Sequence, residues 1–250
     1  MKIIVISLAD AAQRRAQIQS QLSKLELSFE WLEAVDARQW QNERLAHHIN
    51  DKELYKNMNN KPIAGSIGCH LSHIKAYENL LSSNDEAVLI LEDDAVIEDA
   101  LPQTLAKLEQ AMQHIDILFL CDRREDKPSV EIGNITQNHS LCVKKFSNIG
   151  TTAYVINRRA AHHMLSNHKE FGIEIDCLLN RWWRHDLAVA TIKPDLVKDE
   201  AAETQIGYEL TPLARTLVQK WAKKTHDVKD SWRKRRLFKQ YCQKMANNLK

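Results

Sequence analysis

Short apolar runs alternate along the chain with longer segments in which apolar residues recur every three or four positions. The first apolar run predicts a strand over residues 2–8, and the first periodic segment predicts a helix over about 12–25, in which Ile18 and Leu22 share one face. The later predicted strands are 29–35, 87–91, 115–120, 151–156 and 188–192, and the later predicted helices are 65–81, 101–113 and 158–166. This alternation predicts an α/β domain with a mostly parallel sheet.

Residues 37–62 interrupt this pattern, because they are polar and lack a clear period. We expect a mobile loop there, with at most one short helix near residues 51–58. Small residues precede the strand that ends at Ile156, in the segment 148–156, and a further short helix is predicted to follow Asp176.

The apolar run Val88–Leu91 ends abruptly in Glu92, Asp93 and Asp94. In open α/β sheets, ligands bind at the carboxyl ends of the strands, which is where these acids are predicted to lie. Carboxylate oxygens suit Mg²⁺ or Mn²⁺, which are commonly held by one or two carboxylates together with substrate phosphates. The alternative is that the acids begin a helix, whose first turn favours negative charge.

The composition is that of a soluble globular protein with 44% hydrophobic and 27% charged residues, and no apolar run approaches the roughly 18 residues of a membrane span. Its length of 250 residues favours one domain with a tail. The six glycines form neither a dinucleotide fingerprint nor a P-loop, and there is no Gly-x-Ser-x-Gly elbow. A metal and basic side chains would therefore have to neutralise any bound phosphate. The five scattered cysteines indicate free thiols in a reducing cytosol.

The net charge of +2 conceals a strong asymmetry between the two parts of the chain. From Leu213 onward, 12 Lys and Arg stand against 2 Asp, a net charge of +10, whereas the first 212 residues hold 23 basic and 31 acidic residues, a net charge of −8. We therefore divide the chain into an α/β domain at 1–210 and a basic amphipathic helical tail at 211–250. Aromatic residues interleave with the basic ones, which favours an anionic membrane surface over nucleic acid as the partner of the tail. A contact between two copies of the chain is an alternative role for the tail.

Other candidate ligand-binding residues are distributed along the domain. Arg14 and Arg15 offer guanidinium groups for a phosphate, and Asp36 follows the second predicted strand, where it could bind a ribose or a base. Cys69, His70 and His73 are possible zinc ligands, but no second pair with matching spacing accompanies them. They lie in a segment that opens a helix with two glycines, which favours close approach of a ligand to the backbone.

Two further carboxylates are candidates for a general base. Asp176 stands alone among apolar neighbours, where a raised pKa would suit it to accept a proton. Its alternative role is that of a helix N-cap. Asp122 follows the strand at 115–120 and is the second choice.

Taken in order, these segments resemble glycosyltransferase family 25, in particular the bacterial lipooligosaccharide galactosyltransferases. The resemblance covers roughly residues 2–200, and its most specific blocks are the Gly-Cys-His-Leu-Ser-His segment at 68–73 and Leu-Glu-Asp-Asp at 91–94. The other matching blocks are 4–8 followed by Arg14 and Arg15, then 34–37, 150–154, 175–179 and 194–197.

The resemblance implies a GT-A-like, Rossmann-type enzyme that transfers a hexose, with galactose favoured over glucose, from a UDP-sugar to a glycolipid acceptor with inversion. It implies Mn²⁺ or Mg²⁺ as cofactor, and a cytoplasmic enzyme that is peripheral on the inner face of the inner membrane. The expected metal ligands are Glu92, Asp94 and Asp199. The expected donor-binding residues are Ser7, Leu8, Arg14, Arg15, Asp36, Gly65, Ser72, His73, Asp93, Thr151 and Tyr154.

Three departures from the family pattern affect these expectations. Ser66 stands where the family usually has Glu, and Tyr77 stands where it has Trp. Asp199 replaces the usual Gln in the segment 194–199, so the role of that Gln is in doubt, although Asp199 could itself approach the metal. A metal-dependent nucleotidyltransferase and a non-catalytic, membrane-docked scaffold are the alternative functions.

Overall fold

A computed structural model describes residues 1–124, 127–145, 150–200 and 211–249. The strands are β1 (Lys2–Ser7), β2 (Glu30–Glu33), β3 (Ala87–Glu92), β4 (Ala95–Ile97), β5 (Ile117–Phe119), β6 (Ser129–Asn134), β7 (Ser140–Lys144), β8 (Ala153–Asn157), β9 (Val189–Lys193) and β10 (Val197–Asp199). The helices are α1 (Ala12–Lys24), α2 (Asn42–Ala46), α3 (Asp51–Asn57), α4 (Ala64–Ser82), α5 (Leu101–Ala111), α6 (Arg158–Asn167), α7 (Ile175–Leu179) and α8 (Leu217–Asn248).

Within the described residues, eight of these strands form one sheet in the order β2-β1-β3-β8-β5-β9-β7-β6. Strands β8 and β7 run antiparallel to their neighbours, and the other six strands share one direction. The expected α/β class with a mostly parallel sheet is therefore confirmed. Because β8 runs against β3, the amino end of β8 lies beside the carboxyl ends of β1 and β3.

The two faces of the sheet bury alternate residues of the same strands, as the period-two geometry of a strand requires. On β1, Ile3 and Val5 pack on one side with α1 and α5, whereas Ile4 and Ile6 pack on the other side with α4, α6 and α7. The apolar runs are continuous because both faces are covered by helices.

The segment 37–62 differs from the expected mobile loop, since it contains both α2 and α3. Leu54 of α3 is buried against Ile67 and Phe171, and this small cluster fixes the segment on the domain. The sequence pattern did not predict the strands β4, β6, β7 and β10. Residues 146–149 lie outside the described residues, and they include the first two residues of the predicted segment 148–156.

The C-terminal helix α8 forms as expected, but its second half belongs to the domain. Cys242 and Met245 are buried in the core, and the Tyr241 ring stacks on Trp182 at 4.4 Å between ring centroids. The predicted boundary at 210/211 falls at the end of a stretch, 201–210, that is not described. Helix α8 is therefore an element of the domain as well as a basic tail. Over the described ranges, no helix has both the length and the apolar character needed to cross a membrane.

Candidate active site

A cavity of about 760 Å³ opens at the carboxyl ends of β1 and β3. It is lined by twelve of the residues predicted from sequence, namely Ser7, Leu8, Arg14, Asp36, Gly65, Ser72, His73, Glu92, Asp93, Asp94, Thr151 and Asp176. Sheet topology explains this convergence, because the acids follow β3 while Thr151 precedes the antiparallel strand β8. The backbone N–H of Glu92 donates to the Thr152 carbonyl at 2.9 Å and joins the two segments.

Asp94 lines this cavity, and the small antiparallel sheet of β4 and β10 brings Asp199 close to it. In that sheet Asp199 pairs with Ala95, and the Glu200 N–H donates to the Asp94 carbonyl at 3.0 Å. Among the described residues, the buried Oδ1 atoms of Asp94 and Asp199 have no hydrogen-bond partner. Burial, with the charges of Glu92 and Asp199, raises the pKa of Asp94 to about 7. Two such oxygens on neighbouring carboxylates fit a hard divalent cation such as Mg²⁺ or Mn²⁺.

Asp93 points to the opposite side, toward the start of α1. It accepts a hydrogen bond of 2.6 Å from Ser7 Oγ, and Arg14 Nη1 lies 3.1 Å from its Oδ1 atom. Burial nevertheless raises the pKa of Asp93. Arg15 does not join this group, because its guanidinium stacks on the Trp31 ring at 4.3 Å from the centroid. Of the predicted pair of arginines, only Arg14 lines the cavity.

Glu92 is held by a hydrogen-bonded chain that runs into the core. Thr151 Oγ1 donates to Glu92 Oε1 at 2.5 Å, and His73 Nε2 lies 3.3 Å from the same oxygen. His73 Nδ1 bonds the Tyr154 hydroxyl at 2.7 Å. Burial opposes ionisation, but the hydrogen bonds and charges of these partners lower the pKa of Glu92. Tyr154 is fully buried, is not among the lining residues and is linked to the cavity through His73, and its role in donor binding stays a prediction.

Asp176 and Asp122, the two predicted bases, have different surroundings. Asp176 lines the cavity and accepts hydrogen bonds from two backbone groups, with Gly150 N at 2.9 Å and Cys177 N at 2.6 Å, and the Cys177 thiol also contacts it. Asp122 is 2% exposed and lies outside the lining, where Lys144 and Lys193 both pair with its Oδ2 atom. These cations help to lower the pKa of Asp122 in spite of its burial. The structure therefore makes Asp122 a buried ion-pair partner outside the cavity lining, and its role as a second base stays a prediction.

The other predicted donor-binding residues lie on the far side of the cavity. Asp36 is bound by its neighbour Arg38, whose Nε and Nη2 donate at 2.8 and 2.7 Å and lower the pKa of Asp36 to about 2. Ser72 accepts from the Val35 N–H at 2.8 Å and ties α4 to the segment after β2. A Cβ atom at Gly68 would lie 2.5 Å from the Val35 carbonyl, so this close contact requires glycine.

Four charged residues that line the cavity were not predicted, namely Arg38, Arg123, Glu174 and Glu200, and two of them bear on its chemistry. Arg123 Nη2 pairs with Asp199 at 2.7 Å and lies 3.9 Å from Asp94, so a cation already faces both carboxylates. It follows strand β5, and the rule that ligands meet strand ends would have singled it out. Glu174 lies two residues before Asp176, and burial, strengthened by the Asp176 charge, raises the pKa of Glu174 to about 7. No motif in the sequence marks it.

Comparison with known proteins adds independent information. A family model described as "Glycosyltransferase family 25 (LPS biosynthesis protein)" matches residues 1–179. The inactive glycosyltransferase 25 family member 3 of Mus musculus is 28% identical over 175 residues, 66% of this chain and 29% of that protein. The lipooligosaccharide biosynthesis protein lic2B of Haemophilus influenzae is 26% identical over 192 residues, 70% of this chain and 68% of that protein.

A crystal structure of the galactosyltransferase LgtC with donor and acceptor sugar analogs covers 91% of this chain and 96% of its own, at 14% identity and a TM-score of 0.41. The chain matches about 30% of the length of the first curated relatives.

Proposed function

The chain belongs to glycosyltransferase family 25, and on that premise we propose that it transfers galactose from UDP-galactose to a lipooligosaccharide or lipopolysaccharide core acceptor. The reaction is metal-dependent and inverts the anomeric centre. The observation that supports this proposal is the pair of buried oxygens on Asp94 and Asp199, unpaired among the described residues, beside a cavity large enough for a nucleotide-sugar. The mouse relative is described as inactive, and the chain matches 29% of its length. The experiments below therefore test catalysis itself.

In this proposal the acidic residues of the site bind the metal ion and the arginines bind phosphate. Asp94 and Asp199 would hold Mn²⁺ or Mg²⁺, with Glu92 nearby, and the bound ion would supply Lewis acidity toward the diphosphate leaving group. Arg14 and Arg123 place guanidinium groups on the cavity wall, where they can bind phosphate oxygens.

Asp176 is the proposed base. An inverting transfer needs a carboxylate that takes the proton of the acceptor hydroxyl as this attacks the anomeric carbon. Asp176 faces the cavity and no cation pairs with it in the contacts of its side chain given above. Its two backbone donors hold the carboxylate in one orientation while leaving oxygen lone pairs for the acceptor hydroxyl.

The direct test is a thermal-shift panel of UDP-sugars and nucleoside triphosphates, each with and without Mn²⁺, followed by a transfer assay. A ligand that binds the folded state raises its stability, so UDP-galactose with Mn²⁺ should raise Tm most. Asp94→Asn should abolish this metal-dependent shift, and Asp99→Asn, a change at an exposed acid nearby, should not.

The other outcomes of this panel separate the alternatives. A larger shift with UDP-glucose would identify a glucosyltransferase, and a shift with a nucleoside triphosphate alone would indicate a nucleotidyltransferase. Donor binding without transfer or hydrolysis would favour a non-catalytic scaffold. Retention of Mn²⁺-dependent activity in Asp94→Asn would contradict the metal assignment.

We also propose that α8 docks the enzyme on an anionic membrane surface, where a glycolipid acceptor would lie. Five apolar residues of its first half are 60–83% exposed: Leu217, Val218, Trp221, Val228 and Trp232. At 3.6 residues per turn they occupy an arc of about 100°. Tyr241 and Met245, which pack on the domain in the second half of α8, lie on the other side of the helix.

Basic side chains lie beside this exposed arc and continue it toward the C-terminal end of α8. Lys224, Lys229, Arg235, Arg236 and Lys239 are exposed, and the Arg236 guanidinium stacks over the Trp232 ring at 5.1 Å. An amphipathic helix with aromatic residues on one face and Lys and Arg at its borders is suited to the headgroup region of a bilayer.

The test compares co-sedimentation with anionic vesicles for the full chain and for the double variant Trp221→Ser/Trp232→Ser. The variant should lose most binding and keep its Tm, because these side chains are exposed. Val130→Ser removes an exposed apolar side chain elsewhere and is the matched control. Unchanged pelleting of the double variant would contradict docking through this face, and a concentration-dependent change in mass without vesicles would favour a homodimer.

A further inference from the structure

Cys69, His73 and Glu92 form a compact cluster on the wall of the cavity. Cys69 and His73 are four residues apart on α4 and therefore share one face, and Glu92 ends the neighbouring strand β3. One ligand atom from each, the cysteine sulfur, a histidine ring nitrogen and a carboxylate oxygen, lie within 4.8 Å of one another. All three residues line the cavity, so a further ligand position faces open space.

The spacing of the sequence pointed to a different set, Cys69 with His70 and His73. In the structure His70 turns to the other side of α4, where its Nε2 lies 3.0 Å from the His168 carbonyl. Glu92, which is distant in sequence, takes the third position. Sulfur, imidazole nitrogen and carboxylate oxygen are all zinc ligands, and three protein ligands leave the fourth position of a tetrahedral site open.

The histidine of the cluster is already oriented as a metal ligand would be. Its Nδ1 atom bonds the buried Tyr154 hydroxyl at 2.7 Å, and Tyr77 supports that hydroxyl from behind at the same distance. The Nε2 atom is therefore directed toward the cluster. In metal sites, the second ring nitrogen of a ligand histidine is usually held by such an outer hydrogen bond.

We propose that Cys69, His73 and Glu92 bind a thiophilic divalent cation, Zn²⁺, at a site separate from the oxygen pair of Asp94 and Asp199. Binding replaces the S–H bond of Cys69 with a sulfur–metal bond and releases the proton to solvent. Thiolate and imidazole ligands favour zinc over magnesium or manganese, which prefer oxygen.

The thiol has no features of a nucleophile that would offer a competing role. Burial and the charges of Glu92, Glu174 and Asp176 raise the pKa of Cys69 well above its ordinary value. Reactive cysteines have lowered pKa values and cationic neighbours. A metal ion, which deprotonates its thiol ligand, suits these surroundings better than covalent catalysis does.

The test uses the full-length, metal-free protein and Co²⁺ as a spectroscopic substitute for Zn²⁺. Bound Co²⁺ should show a near-ultraviolet thiolate charge-transfer band that one equivalent of Zn²⁺ removes. Cys69→Ser should abolish the band, whereas Cys177→Ser, a change at another partly exposed cysteine, should preserve it. Tyr154→Phe removes the outer hydrogen bond and should weaken Zn²⁺ binding by about 10–100-fold.

Asp94→Ala separates this proposal from the proposed function, because it should leave the band intact while removing the Mn²⁺-dependent shift with UDP-galactose. A wild-type protein without the band, or a band that persists in Cys69→Ser, would overturn the zinc site. Loss of the band in Asp94→Ala would overturn the separation of the two sites. Circular dichroism of each variant verifies that the chain is folded.

Discussion

The carboxylates around the cavity differ mainly in the groups that surround them. Asp36 is exposed and paired with Arg38, which lowers its pKa to about 2, whereas burial beside other acids raises the pKa of both Asp94 and Glu174 to about 7. Perturbed carboxylates in a cleft are typical of functional sites. The sequence identified Asp94 by its place after an apolar strand, but the burial of Glu174 depends on packing that no local pattern encodes.

At Asp176 we expect Asp176→Asn to reduce kcat by about 10²–10⁴-fold while the KM for UDP-galactose changes little. The amide keeps the size of the side chain but cannot accept the proton of the acceptor hydroxyl. Steady-state kinetics with a short soluble acceptor measure both constants. Equal loss of donor affinity would instead make Asp176 a binding residue.

The corresponding change at Asp122 should act on stability. Asp122→Ala leaves Lys144 and Lys193 without their shared buried carboxylate, and breaking such a pair typically costs about 3–5 kcal/mol. Urea unfolding should show a lower midpoint, and kcat measured well below that midpoint should stay close to the wild-type value. A large loss of kcat in a fully stable variant would support Asp122 as a base.

Glu174 gives a prediction about pH. Its pKa is about 7 in the folded state and 4.5 as an ordinary value, so the folded protein holds this proton more tightly than the unfolded chain. The free energy of unfolding should therefore fall as pH rises from about 4.5 to about 7, by at most about 3 kcal/mol. Glu174→Gln should reduce that fall, and Glu170→Gln, at an exposed acid, should not. Identical pH profiles for wild type and Glu174→Gln would contradict the raised pKa.

At the scale of elements, the sequence predicts best what is long or continuously apolar. Helices α1, α4, α5 and α6 and strands β1, β3 and β9 lie within a few residues of their predicted limits. Strands β4 and β10 are three residues long and were missed, because a strand that short has no detectable period. Each of these strands is held extended by its hydrogen bonds to the other, and this pairing places Asp199 beside Asp94.

Helix α8 is an element whose existence the sequence predicts but whose packing on the domain it does not. Its basic residues predicted a separate tail, yet Asp230 accepts hydrogen bonds from Trp183 Nε1 at 2.7 Å and from Arg184 Nε at 2.5 Å. These residues are distant in sequence, so charge counting could not reveal that the helix is attached to the domain. Complete removal of residues from 213 onward would expose the core around Met245, and point variants are the better probes of the helix.

The attachment of α8 can be tested with two acids on the same helix. Asp230→Ala should lower the free energy of unfolding by about 1–3 kcal/mol, because it leaves two partly buried donors without their acceptor. Asp227→Ala removes an i,i+4 pair of the exposed Asp227 carboxylate with Lys223 on the same helix and should cost about 0.5 kcal/mol or less. Chemical denaturation of both variants gives the comparison. Equal losses would show that the contacts of Asp230 do not hold the helix in place.

At the scale of the whole molecule, charge is divided between the two ends of the chain. The first 212 residues carry a net charge of −8 and the remainder +10, although the sum is only +2. Net charge alone would therefore predict weak attraction to an anionic surface. The distribution instead predicts an oriented interaction, since an acidic α/β domain is repelled by such a surface while its basic helix is attracted to it.

This division predicts a steep salt dependence of vesicle binding. Each Lys or Arg near an anionic surface contributes roughly 1 kcal/mol, and the attraction is screened beyond a Debye length of about 10 Å at 0.1 M salt. Co-sedimentation with anionic vesicles should therefore fall as salt rises, and neutral vesicles should bind weakly at every salt concentration. The triple variant Arg235→Gln/Arg236→Gln/Lys239→Gln should flatten the salt curve, whereas Trp221→Ser/Trp232→Ser should lower the curve while keeping its slope. Salt-independent binding of the wild type would refute an electrostatic contribution, because apolar contacts alone are not weakened by screening.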